Sequence, residues 1–309
     1  MGLIFKRDNE ALNINPLPRI EEELSVNGSN WLWACMAIYS FFFLGVFAMS
    51  YRPRGNEKIF HYLLNIALLV GAITYFANAS NLGWSIVAQA DSSGAPRQIF
   101  FNKYINWVVA FPIVNILLGL VANSSWATIV WHIFLSWVWI ISYLVSAYTP
   151  SVYKWGFFTF GTVAYLVMAA STFGEGMIGA KRVGTQRDYW VLAGYFNLLW
   201  LLYPIAFGVS EGGNTIGVTP HFIFFGVLDV LMIPFGAVIF LLLSRKWDYN
   251  ALNLYFTQYG RVPQGDTSLR SRRLVSLPRR RLPPEPSKFK KHLGLGSPRY
   301  SRTASNPLK

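Results

Sequence analysis

Seven runs of about 20 apolar residues, at roughly 30–51, 59–83, 101–122, 126–147, 153–174, 189–209 and 221–243, alternate with short polar segments along this chain. A helix rises about 1.5 Å per residue, so each run reaches across the ~30 Å hydrocarbon core of a bilayer. The pattern predicts an all-α membrane protein, a bundle of seven transmembrane helices with the chain's two ends on opposite sides. The separators carry turn chemistry: Arg52-Pro53-Arg54-Gly55, Asp91 to Pro96, Asn123-Ser124-Ser125, Thr149-Pro150, Gly179 to Arg182, and Glu211-Gly212-Gly213-Asn214. Three regions follow: a polar segment 1–29, a seven-helix membrane domain 30–248, and a basic Pro/Ser-rich tail 249–309.

Composition agrees with burial in lipid, since 53% of the residues are hydrophobic, 17% aromatic and only 13% charged. Segment 1–29 lacks the basic start, apolar core and small-residue cleavage site of a secretory signal, so the first membrane helix is expected to act as its own targeting signal. Lone Cys35 falls within the first apolar run and reads as a small core residue, with no disulfide framework or Cys-rich metal spacing.

Charge sets the orientation. One set of loops and the segment after the last helix carry Arg52, Arg54, Lys58, Lys181, Arg182, Arg187, Arg245 and Lys246, against little beyond Arg97 and Lys154 on the other side. By the positive-inside rule the N-terminus is expected outside and the C-terminus in the cytoplasm. The Asn27-Gly28-Ser29 sequon then lies outside, but it abuts the first helix and is a poor glycosylation acceptor.

The net charge of +13 could suggest nucleic acid, but its distribution argues otherwise. Residues 250–309 hold 13 lysines and arginines against Asp266 and Glu285, so nearly all the excess sits in the tail. No nucleic-acid partner is expected. A tail this polar and charged is expected to be disordered and drawn to anionic lipids, by about 1 kcal/mol per cation near the surface. Ser276, Ser301 and Ser305, with Arg at −3, −2 and −3, are candidate phosphorylation switches that would lower its charge.

Ionisable groups at membrane depth are costly, which makes each a functional candidate. Asp229 is the carboxylate read as lying deep within a span, and Lys103 the cation. They are expected to interact, directly or through water, in a polar cluster with Asn106. His61, His132 and His221 are read as isolated interfacial or hydrogen-bonded residues, with no metal site. No phosphate-binding loop or nucleophile elbow is placed where it could act, and conventional hydrolytic catalysis is not expected.

Three ordered motifs resemble the microbial rhodopsins, and more closely their fungal opsin-related, stress-associated branch, over about residues 30–248. Lys103-Tyr104-Ile105-Asn106-Trp107 followed by Pro112 is similar to the family's Arg-Tyr-x-Asp-Trp…Pro segment. Trp200-Leu201-Leu202-Tyr203-Pro204 resembles the sixth-helix Trp-x-x-Tyr-Pro that lines one side of the retinal pocket, and Ser210-Glu211-Gly212 resembles the loop beyond it. Leu228-Asp229-Val230 resembles the Leu-Asp-Val whose aspartate is a Schiff-base counterion. The resemblance implies a former retinal pocket formed by Trp107, Trp200, Tyr203, Pro204, Phe207, Asp229 and Ile233.

The departures decide the function implied. Ile233 stands where the family places its retinal-binding lysine, and a Schiff base needs an amine. Asn106 replaces the proton acceptor, and Leu117 stands at the proton-donor position. Covalent retinal and light-driven pumping are therefore not expected. Pro234 predicts a kink or small polar cavity near Ile233. The resemblance implies a stress-linked, chaperone-like or regulatory role at a fungal plasma membrane, such as modulating a proton ATPase. Its expected partners are the bilayer, anionic lipids at the tail and a plasma-membrane protein, and homo-oligomers occur in the family. The alternative is a residual ion transporter, channel or sensor binding a small apolar ligand non-covalently in the former pocket.

Overall fold

A computed structural model describes residues 9–52, 58–90, 95–249, 251, 252 and 254. After a short helix α1 (Glu10–Ile14), seven helices long and apolar enough to cross a membrane occur among the described residues. These are α2 (Val26–Met49), α3 (Lys58–Ala79), α4 (Asn102–Val121), α5 (Trp126–Tyr148), α6 (Lys154–Val183), α7 (Gln186–Gly212) and α8 (Val218–Ser244). Sequence neighbours pack side by side from α2 to α6, and α8 closes the bundle against α2 and α7. Most of α4 is buried, which places Lys103, Asn106 and Trp107 in the interior.

Local chemistry sets the helix ends. Ser25 and Ser125 cap α2 and α5, their hydroxyls accepting from the N–H groups of Gly28 and Thr128 at 3.1 Å. Gly184, at φ 80°, ends α6 in the left-handed conformation that glycine adopts without a Cβ penalty. The Gly179–Arg182 stretch, expected as a separator, is therefore helical, and the turn falls one residue after Val183. Helix α2 likewise begins at Val26, so the sequon lies in its first turns, where Ser29 is buried and donates to the Ala79 carbonyl at 2.7 Å.

Two features have no counterpart in the apolar periodicity. Strands β1 (Trp84–Ala88) and β2 (Pro96–Phe100) form an antiparallel hairpin between α3 and α4, pairing Trp84 with Phe100 through Ala88 with Pro96. A parallel bridge from Glu22 to Arg97 lays the N-terminal segment along it. π-helical turns also interrupt α6 at Thr172–Gly176, end α7 at Gly208–Gly212 and interrupt α8 at Leu231–Phe235.

The irregularity expected near Ile233 takes the form of the Leu231–Phe235 turn, which contains Pro234. Side chains supply hydrogen bonds there: Tyr39 donates to the Asp229 carbonyl at 2.8 Å and Tyr195 to the Leu231 carbonyl at 2.6 Å. Ile233 itself is buried.

Packed structure continues beyond residue 248. Trp247 lies against Phe60 and Phe240, and its indole donates to Asp188 at 2.8 Å; Leu252 and Leu254 are buried.

Candidate functional site

Asp229 points into the bundle from α8, two residues before the π segment. Its Oδ1 accepts from Trp107 Nε1 at 2.9 Å and from the Tyr203 hydroxyl at 2.6 Å, and its Oδ2 accepts from the Tyr75 hydroxyl at 2.7 Å. Three helices thus supply three donors to one buried carboxylate. Hydrogen bonds to a charged acceptor contribute about 1.5–3 kcal/mol each, enough together to offset much of the cost of burying it. Asn106 is also buried, and its Oδ1 has no hydrogen-bond partner among the described residues.

No direct hydrogen bond or ion pair joins Lys103 to Asp229. Lys103 Nζ instead makes an ion pair with Glu211 Oε1 at 2.5 Å and lies 2.7 Å from His221 Nε2. An ammonium offers only donors, so Nε2 accepts and the imidazole carries its proton on Nδ1. The Tyr104 hydroxyl donates to the other oxygen of Glu211, and Lys103 also lies 4.9 to 5.6 Å from the ring centroids of Tyr104, Phe225 and Trp107. Trp107 therefore touches both charged centres: its ring faces the lysine and its N–H bonds the aspartate.

The physical reason for this pairing is the π turn Gly208–Gly212. It carries α7 past the point where Glu-Gly-Gly-Asn composition suggested a loop, and leaves Glu211 only 2% exposed. A buried carboxylate and a buried ammonium are each costly alone, and together they satisfy one another. His221, read from sequence as isolated, belongs to this cluster, whereas His132 bonds Ser171 at 2.8 Å on a different pair of helices. Arg97 extends the polar region outward, donating to Asn214 Oδ1 at 2.6 Å and the Ile216 carbonyl at 2.8 Å, with Glu22 at 3.9 Å. Burial lowers the guanidinium pKa, and the charges of Glu211 and Glu22 oppose that shift.

The residues assigned to the former retinal pocket do come together, but as a packed aromatic core. Trp107 lies 5.3 Å from Tyr203, and Phe207 lies 4.5 Å from Tyr143, centroid to centroid. Trp139, and Phe111, which the sequence reading missed, sit among them. Trp107, Phe111, Trp139, Trp200, Tyr203, Phe207 and Ile233 are each 0–3% exposed. The α4 period could have found Phe111, one turn after Trp107 on the same face. Tyr39 and Tyr75 carried no comparable signal, because their hydroxyls meet Asp229 only in three dimensions.

These residues do not fit covalent retinal. Ile233 carries no amine, and the one at Lys103 is committed to Glu211 and His221. Of the pocket rings, Trp107 packs on Tyr203, while Trp200 meets Phe111 and Trp139. No group of three or more His, Cys, Asp and Glu able to hold a metal occurs among the described residues. Ser276, Ser301 and Ser305 lie outside the described residues, as does all of the tail after Leu254.

The family model described as bacteriorhodopsin-like protein matches residues 28–244. The chain is 36% identical to the opsin-like protein carO of Fusarium fujikuroi over 252 residues, covering 76% of this chain and 81% of that protein. It is 31% identical to the 30 kDa heat shock protein of Saccharomyces cerevisiae, with 73% and 75% covered. Among solved structures, the light-driven proton pump of Leptosphaeria maculans superposes with a TM-score of 0.68 at 26% identity, covering 72% of this chain and 96% of the pump. This chain is therefore a multi-pass integral membrane protein of the bacteriorhodopsin-like family, in its fungal opsin-related branch.

Proposed function

We propose that this protein acts at the fungal plasma membrane without retinal and without light, in a stress-linked, chaperone-like or regulatory role such as modulation of a proton ATPase. The observation that carries the reading is the state of the former pocket: position 233 has no amine, and aromatic rings occupy the core around Asp229. Similarity to a 30 kDa heat shock protein supports the stress link. An N-terminus outside and a C-terminus in the cytoplasm follow from the loop cations, and that orientation puts the basic tail where anionic lipids and membrane-protein partners can meet it. The alternative, an apolar ligand in the old pocket, draws no support from rings that leave at most 3% of their surface open.

The test is complementation of a deletion strain under heat and acid stress, in darkness and in light, with and without added retinal. Equal rescue under all conditions is expected. Rescue confined to illuminated, retinal-fed cells would overturn the reading.

A further inference from the structure

We propose that Phe111 and Trp139 form a plug that excludes a polyene from the core, so that retinal is blocked by shape as well as by the missing amine. This inference rests on the reading that the protein works without retinal, and adds to it a second, independent cause.

Phe111 makes the central contacts. Its ring lies 5.1 Å from Tyr203, 5.2 Å from Trp139, 5.8 Å from Trp200 and 6.1 Å from Trp107, where it stacks. It therefore reaches three of the side chains that the family resemblance assigns to the pocket wall. A flat chain held between two rings needs carbon contacts of about 3.5–4.0 Å on each side, which means about 7–8 Å between those rings. No Phe111 pair leaves that gap. Trp139 fills the adjoining space, 6.5 Å from Trp200 and 6.3 Å from Tyr203.

The plug is braced from behind. Trp139 packs 4.8 Å from Tyr165 on α6 and 6.1 Å from Tyr143, and the Tyr165 hydroxyl donates to the Asn197 carbonyl on α7 at 3.1 Å. An indole held by neighbours on both sides cannot swing out to admit a ligand without repacking α6, and close-packed interiors resist such a shift. Removing the Phe111 ring would create an apolar void of the kind that stays dry and accepts apolar ligands.

The test compares the wild-type chain with Ile233→Lys, Phe111→Ala and the double variant, each purified and monodisperse in detergent. All-trans-retinal is added, with tryptophan quenching, visible absorbance and borohydride trapping as readouts. The Phe111→Ala variant should show saturable tryptophan quenching by retinal without an imine, where the wild-type chain shows none, because apolar area is opened to the ligand. Ile233→Lys alone should give no visible band, and the double variant should give a red-shifted band and a trapped adduct.

A pigment from Ile233→Lys alone would overturn the plug while leaving the retinal-independent reading intact. A folded double variant that traps no retinal would also overturn it, whereas retinal binding by the wild-type chain would defeat the underlying reading. Should Phe111→Ala not purify as a folded protein, Trp139→Leu on the Ile233→Lys background removes the other half of the plug and is scored in the same way.

Discussion

Replacing Glu211 with glutamine removes one charge from a pair whose members are only 2–3% exposed, and leaves Lys103 as a buried ammonium facing a neutral amide and an imidazole. At 2.5 Å and an effective dielectric near 20, the Coulomb attraction lost is about 7 kcal/mol before desolvation is subtracted. Desolvation costs several kcal/mol per ion, so the pair as a whole contributes far less than its attraction. Breaking one side nevertheless keeps the lysine's penalty and discards what offsets it. The expected loss for Glu211→Gln is about 3–5 kcal/mol. Adding Lys103→Met removes the stranded charge and should recover most of that loss, because a buried pair replaced by apolar groups is often near neutral. The assay is reversible unfolding in mixed micelles, titrated with SDS and followed by tryptophan fluorescence, on both single variants and the double. A Glu211→Gln cost below about 1 kcal/mol, or a double variant no more stable than that single one, would refute the assignment of Glu211 as the partner of Lys103.

The Asp229 cage makes a graded prediction: Tyr203→Phe and Tyr75→Phe should each cost about 1.5–3 kcal/mol in the same assay, since each removes a donor from a buried charged acceptor, and an effect near zero for both would contradict it. Trp247→Phe keeps the ring packing against Phe60 and Phe240 but loses the bond to Asp188, a change of about 1 kcal/mol that should speed amide hydrogen exchange around residues 247–252; unchanged exchange would argue against a docked segment. Enzymatic deglycosylation of the protein expressed in a fungal host should leave its electrophoretic mobility unchanged, because Ser29 of the sequon is buried in α2 and bonded to Ala79; a shift would contradict that placement.

Where the sequence was legible, the reason was strong physics acting on long segments. Seven apolar runs found seven spans because lipid leaves the backbone little choice other than a helix. The motifs around Trp107, Trp200 and Asp229 pointed to side chains that the structure buries. The failures share a cause as well. Glu211 was read as part of a loop because glycines and Asn214 follow it, and no composition rule signals that a π turn will extend the helix and bury the preceding carboxylate. His221 has no sequence signal of its cluster because its partners come from two other helices. Phe111 passed unnoticed since one more apolar residue on a buried helix carries no signal until its ring is found among four others. The hairpin between α3 and α4 lies in a connection that the apolar periodicity left blank.

The most direct test of the central claim is titration of the purified wild-type chain with all-trans-retinal, followed by tryptophan quenching, visible absorbance and borohydride reduction. The packed core and Ile233 predict no saturable quenching, no red-shifted band and no trapped adduct. A stoichiometric adduct would contradict the account at its root.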